Sequence, residues 1–443
     1  MASLHSRRDV LRVGSYSLGG LGLSQLLQAA ESVASSKLEA TADSCIILFL
    51  NGGPSHLDMW DMKPHTGEGI RGEFQPIATS IGGYQMCELL PKLAQQIHRT
   101  TVVRSMHHSV NNAHAAAVYT ALTGHDRGEI GGGARPTDNP APGSVTAMLR
   151  PPGKPIVPFV HLPYLTKEGA KGPPQPGFFG GYLGRSWDPL FVLRDPNADN
   201  FAVPELSLRE GVDTSRFSAR RDLFENLNPS ASTEVAMTRF QERALDLLTS
   251  PATQRAFRLS EETEELRDQY GRNIYGQSTL LARRLIEAGT RVVTLSWAPD
   301  ANATWDTHGN NFKSLRNTLL PQFDAACGTL LADLADRGML ERTVVAVMGD
   351  FGRTPKINAN AGRDHWNYCY SLMLAGGGFR EGLIYGTSDS TGAFPDSDPL
   401  IPGDIVATLY HTLGISAETQ LYDRLRRPHR LIPIGNVTPP LLS

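Results

Sequence analysis

Four groups of acids and imidazoles punctuate this chain, each just past an apolar run. The first is Asn51-Gly52-Gly53-Pro54-Ser55-His56-Leu57-Asp58. Gly and Pro shape a tight exit there. His56, Asp58 and, three residues on, Asp61 offer hydrogen-bonding and ligand capacity, with a plain Asx-type turn as the structural alternative. The second is His107-His108-Ser109-Val110-Asn111-Asn112-Ala113-His114 at a strand-to-helix transition. Asn112 suits a helix N-cap, and a helix N-terminus also favours an anion. The third, Trp305-Asp306-Thr307-His308-Gly309, sets a carboxylate and an imidazole two residues apart. In an extended segment such residues point the same way, and the pair suits Zn, Mn or Fe better than Ca. The fourth runs Gly349-Asp350-Phe351-Gly352-Arg353-Thr354-Pro355 and then Gly362-Arg363-Asp364-His365-Trp366. Asp350 stands at a strand end, and Trp366 can support a liganding His365. Arg353 and Arg363 either form salt bridges or hold an anionic group by bidentate contacts.

The elements that must position these groups are legible as short apolar runs. Cys45–Leu50, Thr101–Arg104, Arg291–Trp297, Thr343–Met348 and Tyr370–Ala375 read as strands. Ile156–Leu162 reads as another, with prolines that favour an edge or a loop. Between them, Leu89–Ile97, Ala113–Leu122 and Ile405–Leu413 read as helices. Phe312, Leu315, Leu319, Phe323, Leu330 and Leu334 recur at helical spacing in a longer one. Strand–helix alternation predicts an α/β fold with a mostly parallel central sheet and helices on both faces. In such sheets ligands bind beyond the carboxyl ends of the strands, which is where all four groups fall. A shared metal site is therefore expected. Gly and Pro dominate residues 128–143 and 167–184, which read as long loops. Residues 216–289 carry charged helical patterns and read as a helical insertion or cap.

At 443 residues, 40% of them hydrophobic, the chain can bury a large core. A net charge of -3 excludes the basic excess of most nucleic-acid binders. Cys45, Cys87, Cys327 and Cys369 form no CxxC pair and read as buried thiols. Ser6-Arg7-Arg8-Asp9-Val10-Leu11-Arg12, followed by a weakly apolar Gly-rich run, has the order of a twin-arginine export signal. Residues 1–42 are thus expected to be signal and linker, and residues 43–443 one domain. The twin-arginine machinery would be a partner and the periplasm or cell envelope the destination.

The segments NGGPSHLDMWD, ARRLIEAGTRVV, WDTHGNN, GDFGRTP and GRDHW together resemble the bacterial family catalogued as domain of unknown function 1501. That family is often called sulfatase-like and usually carries Glu where this chain has Asp350. It is similar in turn to the alkaline phosphatase and sulfatase superfamily, so the resemblance implies an alkaline-phosphatase-like fold. Onto that pattern Asp306 and His308 match a separated Asp/His ligand pair, Asp350 the acid of an adjacent Asp-His pair, and His365 the late His. Asn51 stands where the superfamily has a first-strand Asp, and Phe351 replaces the adjacent His. His114 stands where the nucleophilic Ser, Thr or Cys would be. His56 and Asp58 are the substitutes at hand as ligands.

The resemblance implies a hydrolase of sulfate or phosphate esters with a divalent metal, Zn or Mn. Its substrate would be a small anionic ester or a sulfated or phosphorylated polymer. Without the usual nucleophile, attack by a metal-bound water is expected. His114 would then be a general base, a nucleophile or a further ligand, and Arg353 and Arg363 would hold the anion. The competing reading is an exported binding protein that kept the fold and lost catalysis.

Overall fold

The computed structural model describes residues 38–203 and 250–443. The expected export signal lies outside the described residues, apart from its last few positions. Its strands form where β-branched and apolar residues run without interruption. β1 (Ser44–Phe49), β2 (Thr100–Met106), β3 (Phe159–Leu162), β4 (Leu190–Phe191), β5 (Val292–Ser296), β6 (Thr343–Met348), β7 (Tyr370–Ala375) and β8 (Leu383–Tyr385) build an eight-stranded sheet. Its order is β8-β2-β7-β6-β1-β5-β3-β4. Every neighbouring pair is parallel except the two made by β7, which runs against β2 and β6. One reversed strand leaves the other seven with their carboxyl ends on a common edge.

Alternation along β1 shows why both faces are covered. Ile46 and Leu48 enter one apolar core, while Cys45, Ile47 and Phe49 enter the other. The first core is closed by Leu93 of α1 (Pro91–Gln96), by Leu281 and Leu285 of α4 (Ile274–Ala288), and by Leu320, Phe323 and Leu330 of a helical run, α5, over residues 311–336. The second is closed by Val118 and Leu122 of α2 (His114–Thr123), Val145 of α3 (Pro142–Leu149) and Ile405 and Leu409 of α6 (Pro402–Thr412). Each such fully buried Leu, Ile or Val contributes roughly 1.5–3 kcal/mol against exposure. All four cysteines are free and buried, and burial pushes their thiols up, as inert core groups should behave.

Two expectations change. β3 is an interior strand, paired to β5 and β4, because Pro155 and Pro158 precede its first residue and leave its ladder intact. Of the expected insertion, residues 216–249 lie outside the described residues. Ile274–Ala288 is not part of a cap, since its apolar face packs on β1 and β5 in the main core. No helix among the described residues is long and apolar enough to cross a membrane.

Candidate metal centre

β1, β2, β5 and β6 are parallel, so the segments that follow them meet at one rim. α2 begins at His114, eight residues beyond the end of β2. Asp306 and His308 lie in the loop after β5, and Asp350 directly follows β6. The chain then doubles back, and the two-residue strand His365–Trp366 pairs antiparallel with Gly352–Arg353. Glycine is required at the exit of β1. Gly52 has φ +106, and a Cβ there would sit 2.5 Å from the Asp306 nitrogen. The turn can therefore press against the Asp306 backbone.

Around Asp306 Oδ1 three imidazoles converge. His114 Nε2 is 3.4 Å away, His308 Nε2 3.2 Å and His365 Nε2 3.2 Å. The Nε2 atoms of His308 and His365 are only 3.0 Å apart. Each ring is held from behind through Nδ1: His114 by Asp350 Oδ2 at 2.6 Å, His308 by Asp364 Oδ1 at 2.7 Å, and His365 by the Asn111 carbonyl at 3.1 Å. With Nδ1 donating to oxygen, the neutral ring carries its lone pair on Nε2. The lone pairs of His308 and His365 then face each other, and all three face the Asp306 oxygen, an arrangement that repels itself unless a proton or cation lies between. His114 Nε2 is buried and has no hydrogen-bond partner. Ligand atoms around a tetrahedral ion with bonds of about 2.1 Å lie roughly 3.4 Å apart, close to the separations seen. Among the described residues, His114, Asp306 and His365 each place a ligand atom within 4.8 Å of the other two, a set that fits a divalent transition metal, with His308 at its open side.

The electrostatics show how strongly this space favours positive charge, here as a proton on His114. Burial works against ionisation of Asp306, but the facing His114 and His365 rings and the Arg353 charge hold it far below the usual carboxylate range. Burial likewise opposes the charged form of His114, yet Asp350 and Asp306 outweigh it and raise the ring to about 9. His365 is pushed down by burial, against the pull of Asp306. Phe351, fully buried, walls the back of the site with its ring 5.0 Å from that of His114 and 4.4 Å from that of His365. The front is open, where the His308 side chain is 45% exposed.

Of the residues singled out from sequence, His114, Asp306, His308 and His365 come together. Asp350 stands behind His114, one oxygen on Nδ1 and the other accepting the Gly52 N–H at 3.1 Å, so it orients a ligand instead of joining the cluster. Asn51 accepts the Trp297 N–H at 2.9 Å and ties β1 to the end of β5. His56 Nε2 is spent on the Gly392 carbonyl at 2.8 Å. Asp58 takes Arg363 through both oxygens at 2.8 and 3.0 Å, plus Ser55 and Asn311. Arg363 spends its other N–H groups on the carbonyls of Thr354, Pro355 and Ile70, so an anion-holding role for it is corrected to a buried brace. Arg353, also fully buried, binds the carbonyls of Gly52, Gly53 and Arg363 and reaches Asp306 Oδ1 at 2.6 Å. It locks Asp306 to the β1 exit and is not presented to an incoming anion. Asp364 and Glu129 were not anticipated. Asp364 sits beside His365 in GRDHW, a signal in plain view. Glu129 accepts the backbone N–H groups of Asn111, Asn112 and Ala113 from 16 to 18 residues away, which no local pattern announces. It supplies from a loop what an N-cap side chain at Asn112 was expected to supply.

A parallel-sheet α/β protein with a histidine–carboxylate centre at the carboxyl rim of its strands is the class that fold and site define. Within it, this chain belongs to the family described as Protein of unknown function (DUF1501), whose model matches residues 42–439. No curated protein matches its sequence. Among solved structures it is similar to the lipoteichoic acid synthase LtaP from Listeria monocytogenes, at 10% identity, covering 91% of this chain and 81% of that one, with a TM-score of 0.37. The sulfatase PsFucS1 from Pseudoalteromonas sp. matches at 11% identity over 90% and 78%, TM-score 0.37. The alkaline phosphatase of the Antarctic bacterium TAB5 matches at 15% identity over 80% and 96%, TM-score 0.37.

Proposed function

We propose that this chain is a metal-dependent hydrolase of sulfate or phosphate esters, exported by the twin-arginine route suggested by Arg7 and Arg8, with an alkaline-phosphatase-like core. The observation that carries the proposal is the convergence of His114, His308 and His365 Nε2 on Asp306 Oδ1, each ring fixed by an oxygen on its far side. A bound divalent cation supplies Lewis acidity, polarising an ester oxygen and acidifying water. The chain's own residues do the rest. Asp350, Asp364 and the Asn111 carbonyl hold the rings in the liganding tautomer. Arg353 keeps Asp306 ionised and in register, and Phe351 excludes water from the rear. Substrate enters past half-exposed His308. The first residue of α2 offers an imidazole and not a hydroxyl or thiol, so a covalent ester intermediate has no attachment point there.

The test is metal analysis of protein matured with Zn and Mn available, followed by a panel of aryl sulfates and phosphates for wild type and His365→Ala. The expected result is about one tightly held metal per chain and hydrolysis lost in the variant. Absence of tightly bound metal would refute the reading. Retained metal with a silent panel would favour a non-catalytic binding protein, a reading that rests on His114 and Phe351 standing where a nucleophile and a second ligand are absent.

A further inference from the structure

Away from the metal centre, three loops close around a cleft of about 630 Å³, a size that suits a small ligand. Four arginines line it, Arg135, Arg185, Arg424 and Arg427, the last held by Asp423 at 2.6 Å. The other three are exposed, and among the described residues none of them has a carboxylate within ion-pair distance, although the Arg185 charge acts on Asp188. Aspartates are close by, yet each is committed to holding its own loop. Asp138 Oδ2 accepts the Arg135 N–H at 2.8 Å, and the Asp138 carbonyl accepts the Tyr182 N–H at 2.9 Å. Asp188 Oδ1 accepts the Gly180 N–H at 2.7 Å. Asp423 Oδ1 accepts the N–H groups of Leu425 and Arg427, both at 2.9 Å. Gly184, at φ +96, lets the Arg424 guanidinium lie across it, since a Cβ there would fall 2.3 Å from Arg424 Nη2. Three turns thus present three guanidinium groups without ion pairs to one space, which two carboxylates, Asp188 and Asp423, also line, so positive charge is in excess there.

We propose that this cleft binds a small organic ligand bearing more than one sulfate or phosphate group. Guanidinium forks match sulfate and phosphate oxygens in bidentate pairs. The volume leaves room for a disaccharide body between them. The site shares no residue with the metal centre and stands whether or not the hydrolase reading does.

The test titrates the full chain by calorimetry with a disulfated disaccharide, its unsulfated counterpart and inorganic sulfate, in low and high salt. The disulfated sugar is expected to bind, with at least a tenfold loss in Arg185→Ala/Arg424→Ala and a marked loss at high salt. Both side chains are exposed, and although Arg424 lies across Gly184, an unchanged unfolding curve checks that the fold survives their loss. His365→Ala is expected to bind the sugar like wild type, which separates this cleft from the metal centre. Inorganic sulfate binding as tightly as the disulfated sugar would overturn the requirement for more than one oxyanion group, and with it the proposal. No binding, equal binding of the unsulfated sugar, or affinity unchanged in the double variant overturns the proposal.

Discussion

Asp350 and Asp364 each hold a histidine of the cluster through Nδ1, at 2.6 and 2.7 Å, but asparagine should be tolerated at only one of them. Asp350 is fully buried and uses both oxygens as acceptors, one for His114 and one for the Gly52 N–H. An amide has one acceptor oxygen, so Asp350→Asn must point its NH2 group at one of these donors. Either the turn loses its anchor or His114 moves its proton to Nε2 and ceases to be a ligand. Loss of such an orienting group costs about 10–100-fold in metal affinity, roughly 1.4–2.7 kcal/mol. Asp364 is more than half exposed and accepts from His308 and from Asn358 Nδ2 (3.1 Å) through the same oxygen, Oδ1. An asparagine oxygen can replace it and keep both bonds, and solvent screens the lost charge. The expected cost is under about 1 kcal/mol, or less than about fivefold. Competition with a chromogenic chelator measures both constants on the full chain, with thermal unfolding to confirm a native fold. An Asp350→Asn protein that binds metal like wild type, or an Asp364→Asn protein that loses more, would refute the account of how the rings are held.

Two further outcomes are expected. Phe351→Ala removes the wall behind His114 and His365 and should destabilise the protein by about 3–5 kcal/mol in urea titration while weakening metal binding; a change below about 1 kcal/mol would show that the ring does not pack the site. His161 is fully buried, and burial lowers it to about 4. The folded protein therefore takes up its proton later than the unfolded chain, whose ring titrates near 6.5. Stability contributed by the neutral ring is complete above that value and is lost as pH falls towards 4, by up to about 3 kcal/mol. His161→Gln, able to keep the bond to the Tyr164 carbonyl, should flatten the slope of unfolding free energy against pH across that interval; an unchanged slope would count against the assignment.

The strands were legible because β-branched and apolar runs such as CIILF and TVVAVM form wherever they are buried, and all six anticipated strands are present. Chemistry tied to local spacing was legible too. Asp306 and His308 do face one another, although their loop is not a strand. Side chains whose partner is remote were not. Arg363 and Asp58, 305 positions apart, could as well have served an anion and a metal, and only the folded chain pairs them.

Residue types and short-range order alone determined that this is an α/β chain, and that its acids and imidazoles would gather at one end of the strands. Strand order decided which of them meet. With β6, β1 and β5 side by side and β2 parallel to them beyond the reversed β7, His114, Asp306, His308 and His365 are drawn to one point, while Asn51, His56 and Asp58 turn to backbone and buried ion pairs. The physical reason is that a buried polar group takes the partner that packing brings within about 3 Å, and sheet topology, unlike local propensity, is a property of contacts far apart in the chain.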